Sequence, residues 1–161
     1  MDTQGPDVFV ATRLSREVSF VVEAPRALVF PLLCPVRERD WLPGWQADVV
    51  YSQSGLVEDG CIFRSGNPKL GTGLYVTSRH EPAAGIVEFV VFYPGICVMK
   101  LDIVATVASP QSTHLRWRRS YTTLGPEGRA FIDGLTEEVF SQQMEGLKRS
   151  LAEHCRRLQT G

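Results

Sequence analysis

At 161 residues, 43% apolar and 22% charged, the chain is long enough to bury one core and too apolar to stay disordered. A formal net charge of −1 gives no general attraction to nucleic acid or to an acidic membrane, so neither is expected as a partner. No apolar run reaches the roughly 20 residues that span a bilayer, so no membrane span is expected.

The opening "MDTQGPDVFVATRL" lacks a basic stretch followed by an apolar core, and no signal peptide is expected. "REVSFVVEAP" (16–25) alternates and then turns fully apolar, which predicts a first strand ending at Pro25. "PRALVFPLL" places a proline where a helix begins, but Pro31 and Pro35 forbid a long straight one. Two short helical pieces are predicted, over 25–33 and 36–41, followed by a turn at "WLPGW".

From 47 to 124 the pattern is a meander. Six extended runs, "ADVVYSQ", "GCIFRSG", "GLYVTSRHE", "GIVEFVVFYP", "ICVMKLDIVATV" and "THLRWRRSYTT", are separated by short segments rich in turn formers. Links this short require antiparallel pairing, because parallel neighbours need long crossovers. Pro94-Gly95 has the order that a type II turn demands. One long helix is predicted over 126–159, with Phe140, Met144, Leu147, Leu151, His154 and Leu158 on one apolar face. Gly134 and Gly146 within it either admit a close neighbour or sit at tolerant exposed positions. Lys148, Arg149, Arg156 and Arg157 suit a helix C-terminus and need no polyanion.

These elements predict a single α+β domain over 1–161: a curved antiparallel sheet of about seven strands, two short helices after the first strand, and a long C-terminal helix. One helix cannot fill the concave side of such a sheet, so a cavity between sheet and helix is expected.

That order, together with "EAPRALVF" (23–30), Trp41 and "RRSYTTLGPEGRAFI" (118–132), resembles the SRPBCC superfamily of helix-grip proteins. Its branches include START lipid-transfer domains, birch-pollen allergen-type proteins and polyketide cyclase-like proteins. The resemblance covers essentially the whole chain, and 118–132 is similar to the strand-to-helix junction of bacterial members without an assigned role. It implies a cavity for a small hydrophobic or amphipathic molecule, with catalysis in some branches and plain binding in others. Fold alone does not choose between them.

Strand alternation supplies the candidate lining. Leu115, Trp117, Arg119 and Tyr121 share one face of their strand; Met99, Leu101, Ile103, Ala105 and Val107 share one face of theirs; Val87, Phe89, Val91 and Tyr93 oppose Glu88. For 73–81 the two faces are equally apolar and the parity stays open. The expected ligand-binding set is Trp41, Trp45, Phe63, Phe89, Val91, Met99, Leu101, Trp117, Tyr121, Phe140 and Met144, with Arg119 as polar anchor. Trp41 and Trp45 either cap the core or line the mouth of the pocket. An inward Arg119 must meet a carboxylate from the short helices or loops, or else a ligand anion.

The catalytic candidates are His80, Tyr121 and Arg119, with His80 acting as a base only if it faces the pocket. The three histidines fall on separate elements without acids at ligand spacing, so no metal is expected. No dinucleotide loop, P-loop or nucleophile elbow occurs, and no cofactor is expected. The four cysteines are scattered and read as reduced, mostly buried thiols of a cytoplasmic protein. A homodimer is expected only on general grounds. The functional expectation is binding of a small hydrophobic or amphipathic ligand. The alternatives are a polyketide cyclase/dehydratase-like enzyme, or an interaction protein whose cavity is filled by its own side chains.

Overall fold

The computed structural model describes residues 8–161; residues 1–7 of the stretch read against a signal peptide lie outside it. In chain order it contains β1 (Arg13–Val22), α1 (Arg26–Val29), single 3-10 turns at Phe30–Leu32 and Arg37–Asp40, and β2 (Asp48–Tyr51). Then come β3 (Ile62–Asn67), β4 (Gly71–Glu81), β5 (Ile86–Tyr93), β6 (Cys97–Ser109), β7 (Ser112–Thr123), α2 (Pro126–Gly134) and α3 (Glu137–Thr160). The strands form one seven-stranded sheet in the order β1-β7-β6-β5-β4-β3-β2, and every pairing is antiparallel. This is the α+β architecture expected from the sequence.

Alternation decides the faces. Val87, Phe89, Val91 and Tyr93 on β5, Met99, Leu101, Ile103 and Ala105 on β6, and Leu115, Trp117 and Tyr121 on β7 are buried together. Val107 shares that parity but is 59% exposed, because β6 runs on past the region that the helices cover. The open parity of β4 resolves with Gly73, Tyr75 and Thr77 inward. The Pro94-Gly95 turn forms as expected: Gly95 has φ +73°, and Ile96 N donates to Tyr93 O at 3.0 Å. The first strand lies at 13–22 rather than 16–25, since Glu23, Ala24 and Pro25 already turn into α1.

The predicted single helix over 126–159 is two helices. α2 stops at Gly134, and Leu135 leaves helical geometry at φ −90°, ψ 67°. Thr136 then caps α3, its hydroxyl accepting from Val139 N at 3.2 Å, with Glu137 and Glu138 in the first turn where the helix dipole favours acids. Arg16 Nε donates to Leu135 O at 3.1 Å across the break, which supplies a partner to a carbonyl that no helix satisfies.

The buried stripe of α3 is Phe140, Met144, Leu147, Leu151 and Cys155. His154 is only half-buried and Leu158 is 46% exposed, contrary to the expected stripe. At about 100° per residue Leu158 returns to the angle of Phe140, so its exposure reflects its place in the last turn of α3 (Glu137–Thr160). Leu151, at 0% exposure, contributes about 2 kcal/mol of burial on its own. A β-carbon added at Gly134 or Gly146 would meet nothing within 4 Å, so these are tolerant positions rather than close approaches. All four cysteines are free and buried.

Candidate functional site

Pro31 and Pro35 break the chain after β1 into turns too short to hide their own charges. The segment "RERD" forms one 3-10 turn. Arg37 and Asp40 pair at 3.3 Å on its outer side, and Arg39 is exposed. Glu38 points the other way and is only 8% exposed. Its amide donates to Cys34 O at 2.8 Å, and Leu42 N donates back to Glu38 O at 2.8 Å. The turn is thus pinned with its one inward carboxyl over the sheet.

Beneath it lies an internal chamber of about 50 Å³. Pro35, Glu38, Leu42 and Trp45 form its roof, Tyr75 (β4), Phe89 (β5), Met99 and Leu101 (β6), and Trp117 and Arg119 (β7) its floor, and Leu147 (α3) one side. A volume of this size holds a few waters, whereas a drug-sized ligand needs about 300 Å³ or more. Six of the residues expected to contact a ligand border it: Trp45, Phe89, Met99, Leu101, Trp117 and Arg119. Trp41, Phe63, Val91, Tyr121, Phe140 and Met144 are buried in the surrounding core without bordering it.

The two tryptophans of "WLPGW" part company here. Trp41 is buried, and its Nε1 donates to Leu32 O at 3.0 Å; it caps the core. Trp45 is half-buried, donates from Nε1 to Pro35 O at 2.7 Å, and meets the edge of Tyr75 at 6.0 Å between ring centres. It closes the chamber from outside. Gly44, at φ +76°, makes the tight turn that brings Trp45 back over the roof.

Arg119 points inward, as the parity of β7 requires. Its Nε is buried without a hydrogen-bond partner, and so is Nε1 of Trp117 beside it. The guanidinium carbon lies 6.0 Å from the ring centres of both Trp117 and Phe140, a cation–π setting that offsets only part of the loss of water. Among the described residues no carboxylate comes within 4.0 Å of it. The acid expected opposite Arg119 is present in the short-helix segment, but it stands off rather than forming an ion pair.

That acid is Glu38. Burial pushes its carboxyl up to about 7, with the attraction of Arg119 pulling partly the other way. Tyr75 is raised to about 12, chiefly by burial, and Tyr121 is raised by burial against the pull of Arg119. A buried carboxyl that titrates near neutrality beside a fixed cation can hold or release a proton at ordinary pH. The sequence reading missed Glu38 because a run of four charges looks like solvated surface. The available signal was its spacing: Cys34, Glu38 and Trp41 recur at four and three residues, one face of a helical turn.

His80, Tyr121 and Arg119 do not meet in one site. His80 borders a separate outer recess of about 180 Å³ with Phe30, Pro31 and Pro82. Its ring stacks on Phe30 at 5.7 Å, and burial lowers its basicity. Tyr121 turns its ring toward Phe131 of α2, 5.3 Å between centres. Only Arg119 of the three faces the chamber. Among the described residues no group of histidine, cysteine and acidic side chains could hold a metal, and no helix is long and apolar enough to cross a membrane.

No family model and no curated protein matches the sequence. Solved structures do match. The Zhui aromatase/cyclase from Streptomyces sp. R1128 aligns with a TM-score of 0.70 at 16% identity, over 91% of this chain and 95% of that one. A point mutant of norcoclaurine synthase from Thalictrum flavum gives 0.70 at 10% identity, over 94% and 99%. Ara h 8.0201 gives 0.65 at 12% identity, over 91% and 99%. At such identities the likeness is one of fold. The short helices and C-terminal helix closing one curved antiparallel sheet over a chamber give this chain the helix-grip fold that these solved structures share.

Proposed function

We propose that the chain binds a small hydrophobic or amphipathic molecule in the chamber between sheet and C-terminal helix, with Arg119 as its polar anchor. The observation that carries this reading is the pair of buried donors, Trp117 Nε1 and Arg119 Nε, that lack any acceptor, on two residues that border a space walled mostly by apolar side chains, with Glu38 and Tyr75 the other polar groups. Buried donors left unpaired destabilise a fold by about 1–3 kcal/mol each, so their retention favours an acceptor brought in from outside. Trp45, Phe89, Met99 and Leu101 would flank the apolar part. Because the chamber measures about 50 Å³, anything beyond a very small ligand requires the Leu42–Trp45 turn to swing outward. Norcoclaurine synthase, similar in fold, has been solved in complex with dopamine and hydroxybenzaldehyde, which supports the choice of small aromatic molecules as first probes.

Native purification followed by mass spectrometry of co-eluting small molecules tests this, with Arg119→Ala as control. A stoichiometric aromatic acid or lipid lost in the mutant is the expected result. A wild-type protein that is empty and takes up no fluorescent apolar probe would overturn it.

A second reading, a cyclase/dehydratase-like enzyme, is favoured by one observation: Glu38, raised to about 7, borders the same chamber as Arg119. A proton acceptor opposite a fixed cation suits removal of an acidic C–H proton and stabilisation of the resulting enolate. Turnover of a poly-β-ketone surrogate by the wild type, lost in Glu38→Gln while binding persists, distinguishes it from plain binding.

A further inference from the structure

The chamber holds two ionisable groups of opposite sign and room for one more small charge. Arg119 enters from β7 with Nε unpartnered; Glu38 enters from the 3-10 turn above, and no ion pair within 4.0 Å joins them. The other groups facing Glu38 carry no charge at neutral pH. β4 contributes Tyr75, whose hydroxyl stays protonated up to about 12. β5 contributes Phe89, β6 contributes Met99 and Leu101, and α3 contributes Leu147. On its own turn, Arg37, Arg39 and Asp40 point to solvent.

A buried cation needs one compensating negative charge, and two in the same small space repel strongly. An ionised Glu38 and a bound anion are therefore alternatives. We propose that Glu38 and Arg119 form a proton-coupled anion site, in which a small organic acid binds as its anion on Arg119 while Glu38 takes up one proton. The inference rests on reading the chamber as a ligand site and adds the class of ligand and the condition for its binding. The proton comes from solvent and resides on the Glu38 carboxyl, which then donates a hydrogen bond rather than repelling the anion. Trp117 Nε1, the second unpartnered donor, completes the set of N–H groups around the acid. Since the free carboxyl titrates at about 7, the occupied state is favoured on the acid side of neutrality.

The test uses two probes of one shape: benzenesulfonate, an anion at every pH used, and benzenesulfonamide, which is neutral. Tryptophan fluorescence titrations at pH 6.5 and 8.5 compare the wild type with Glu38→Gln. Wild-type affinity for benzenesulfonate should fall roughly twenty-fivefold from pH 6.5 to 8.5, as one linked proton on a group titrating at about 7 requires. Glu38→Gln should bind it equally at both pH values, and the sulfonamide should show no pH dependence in either protein. Calorimetry in two buffers of different ionisation heat should register close to one proton taken up per anion at pH 8.5. Anion binding that is the same at both pH values, or a pH slope that survives in Glu38→Gln, overturns the coupling. Sulfonamide binding without pH-linked sulfonate binding overturns the coupling and leaves the ligand site standing. Because the chamber measures about 50 Å³, the same titrations are run with acetate and acetamide, which need no movement of the Leu42–Trp45 turn; failure of all four probes at both pH values overturns both.

Discussion

Replacing Glu38 by glutamine keeps the shape of the side chain and removes its ionisation. In the folded protein, burial moves the carboxyl from 4.5 to about 7 against the partial attraction of Arg119. Each pH unit of separation corresponds to about 1.4 kcal/mol, so the folded protein prefers the protonated group by roughly 3 kcal/mol more than the unfolded chain does. Between 4.5 and about 7 the folded state holds a proton that the unfolded state has released. Stability from this group is therefore fully present below 4.5 and lost as pH rises through about 7. Glutamine resembles the protonated form at every pH. Urea unfolding of wild type and Glu38→Gln, at pH 5 and at pH 8, should show the mutant gaining about 3 kcal/mol relative to wild type across that interval. His80, whose basicity burial lowers, titrates in both proteins and cancels in the difference. Parallel pH profiles for the two proteins would refute the reasoning, since they would mean that Glu38 titrates as an exposed acid.

Arg119→Met tests the other half of the pair. With the cation gone, the attraction that opposes burial disappears, and the Glu38 titration midpoint should move further up from about 7 when followed by NMR of the side-chain carboxyl; a downward move would contradict the assignment. Gly128→Ala probes the seat of α2 on the sheet. A β-carbon there would lie 2.0 Å from Ile96 O, and backbone meeting backbone cannot be relieved by a change of rotamer. A loss of about 2 kcal/mol in thermal or urea unfolding is expected, despite alanine's better helix propensity. At the exposed Gly146, where nothing lies within 4 Å, the same substitution should stabilise by up to about 1 kcal/mol. Equal gains at both sites would mean that α2 does not pack as described.

Much of the fold was legible because local chemistry and tertiary position agree. The inward faces of β5, β6 and β7 follow from alternation, which a half-buried strand cannot avoid. The hairpin at Pro94-Gly95 follows from what those residues allow in a turn. The order of elements, and with it the resemblance carried by 23–30 and 118–132, was present in the sequence without any coordinates. The inward Arg119 was legible too, because parity on β7 left it no other side.

The rest depended on how elements meet. The break at Leu135–Thr136 separates two segments that each read as helix; the signal lay in Thr136 followed by two glutamates, a start rather than a continuation. Parity on β4 stayed open because Leu74 and Val76 are as apolar as Tyr75 and Thr77 allow, and only pairing with β5 settles it. Above all, sequence could place Arg119 inside but not say what stands opposite. Glu38 belongs to a run of four charges, and such runs are ordinarily solvated. Only the docking of one 3-10 turn over the sheet separates Glu38 from its neighbours and withdraws it from water. Composition and periodicity determined that there would be a sheet, a covering helix and an inward cation. Tertiary packing decided the chamber's small size, the side chains that border it and the acid that shares it, because desolvation is a property of the assembled neighbourhood and of no residue alone.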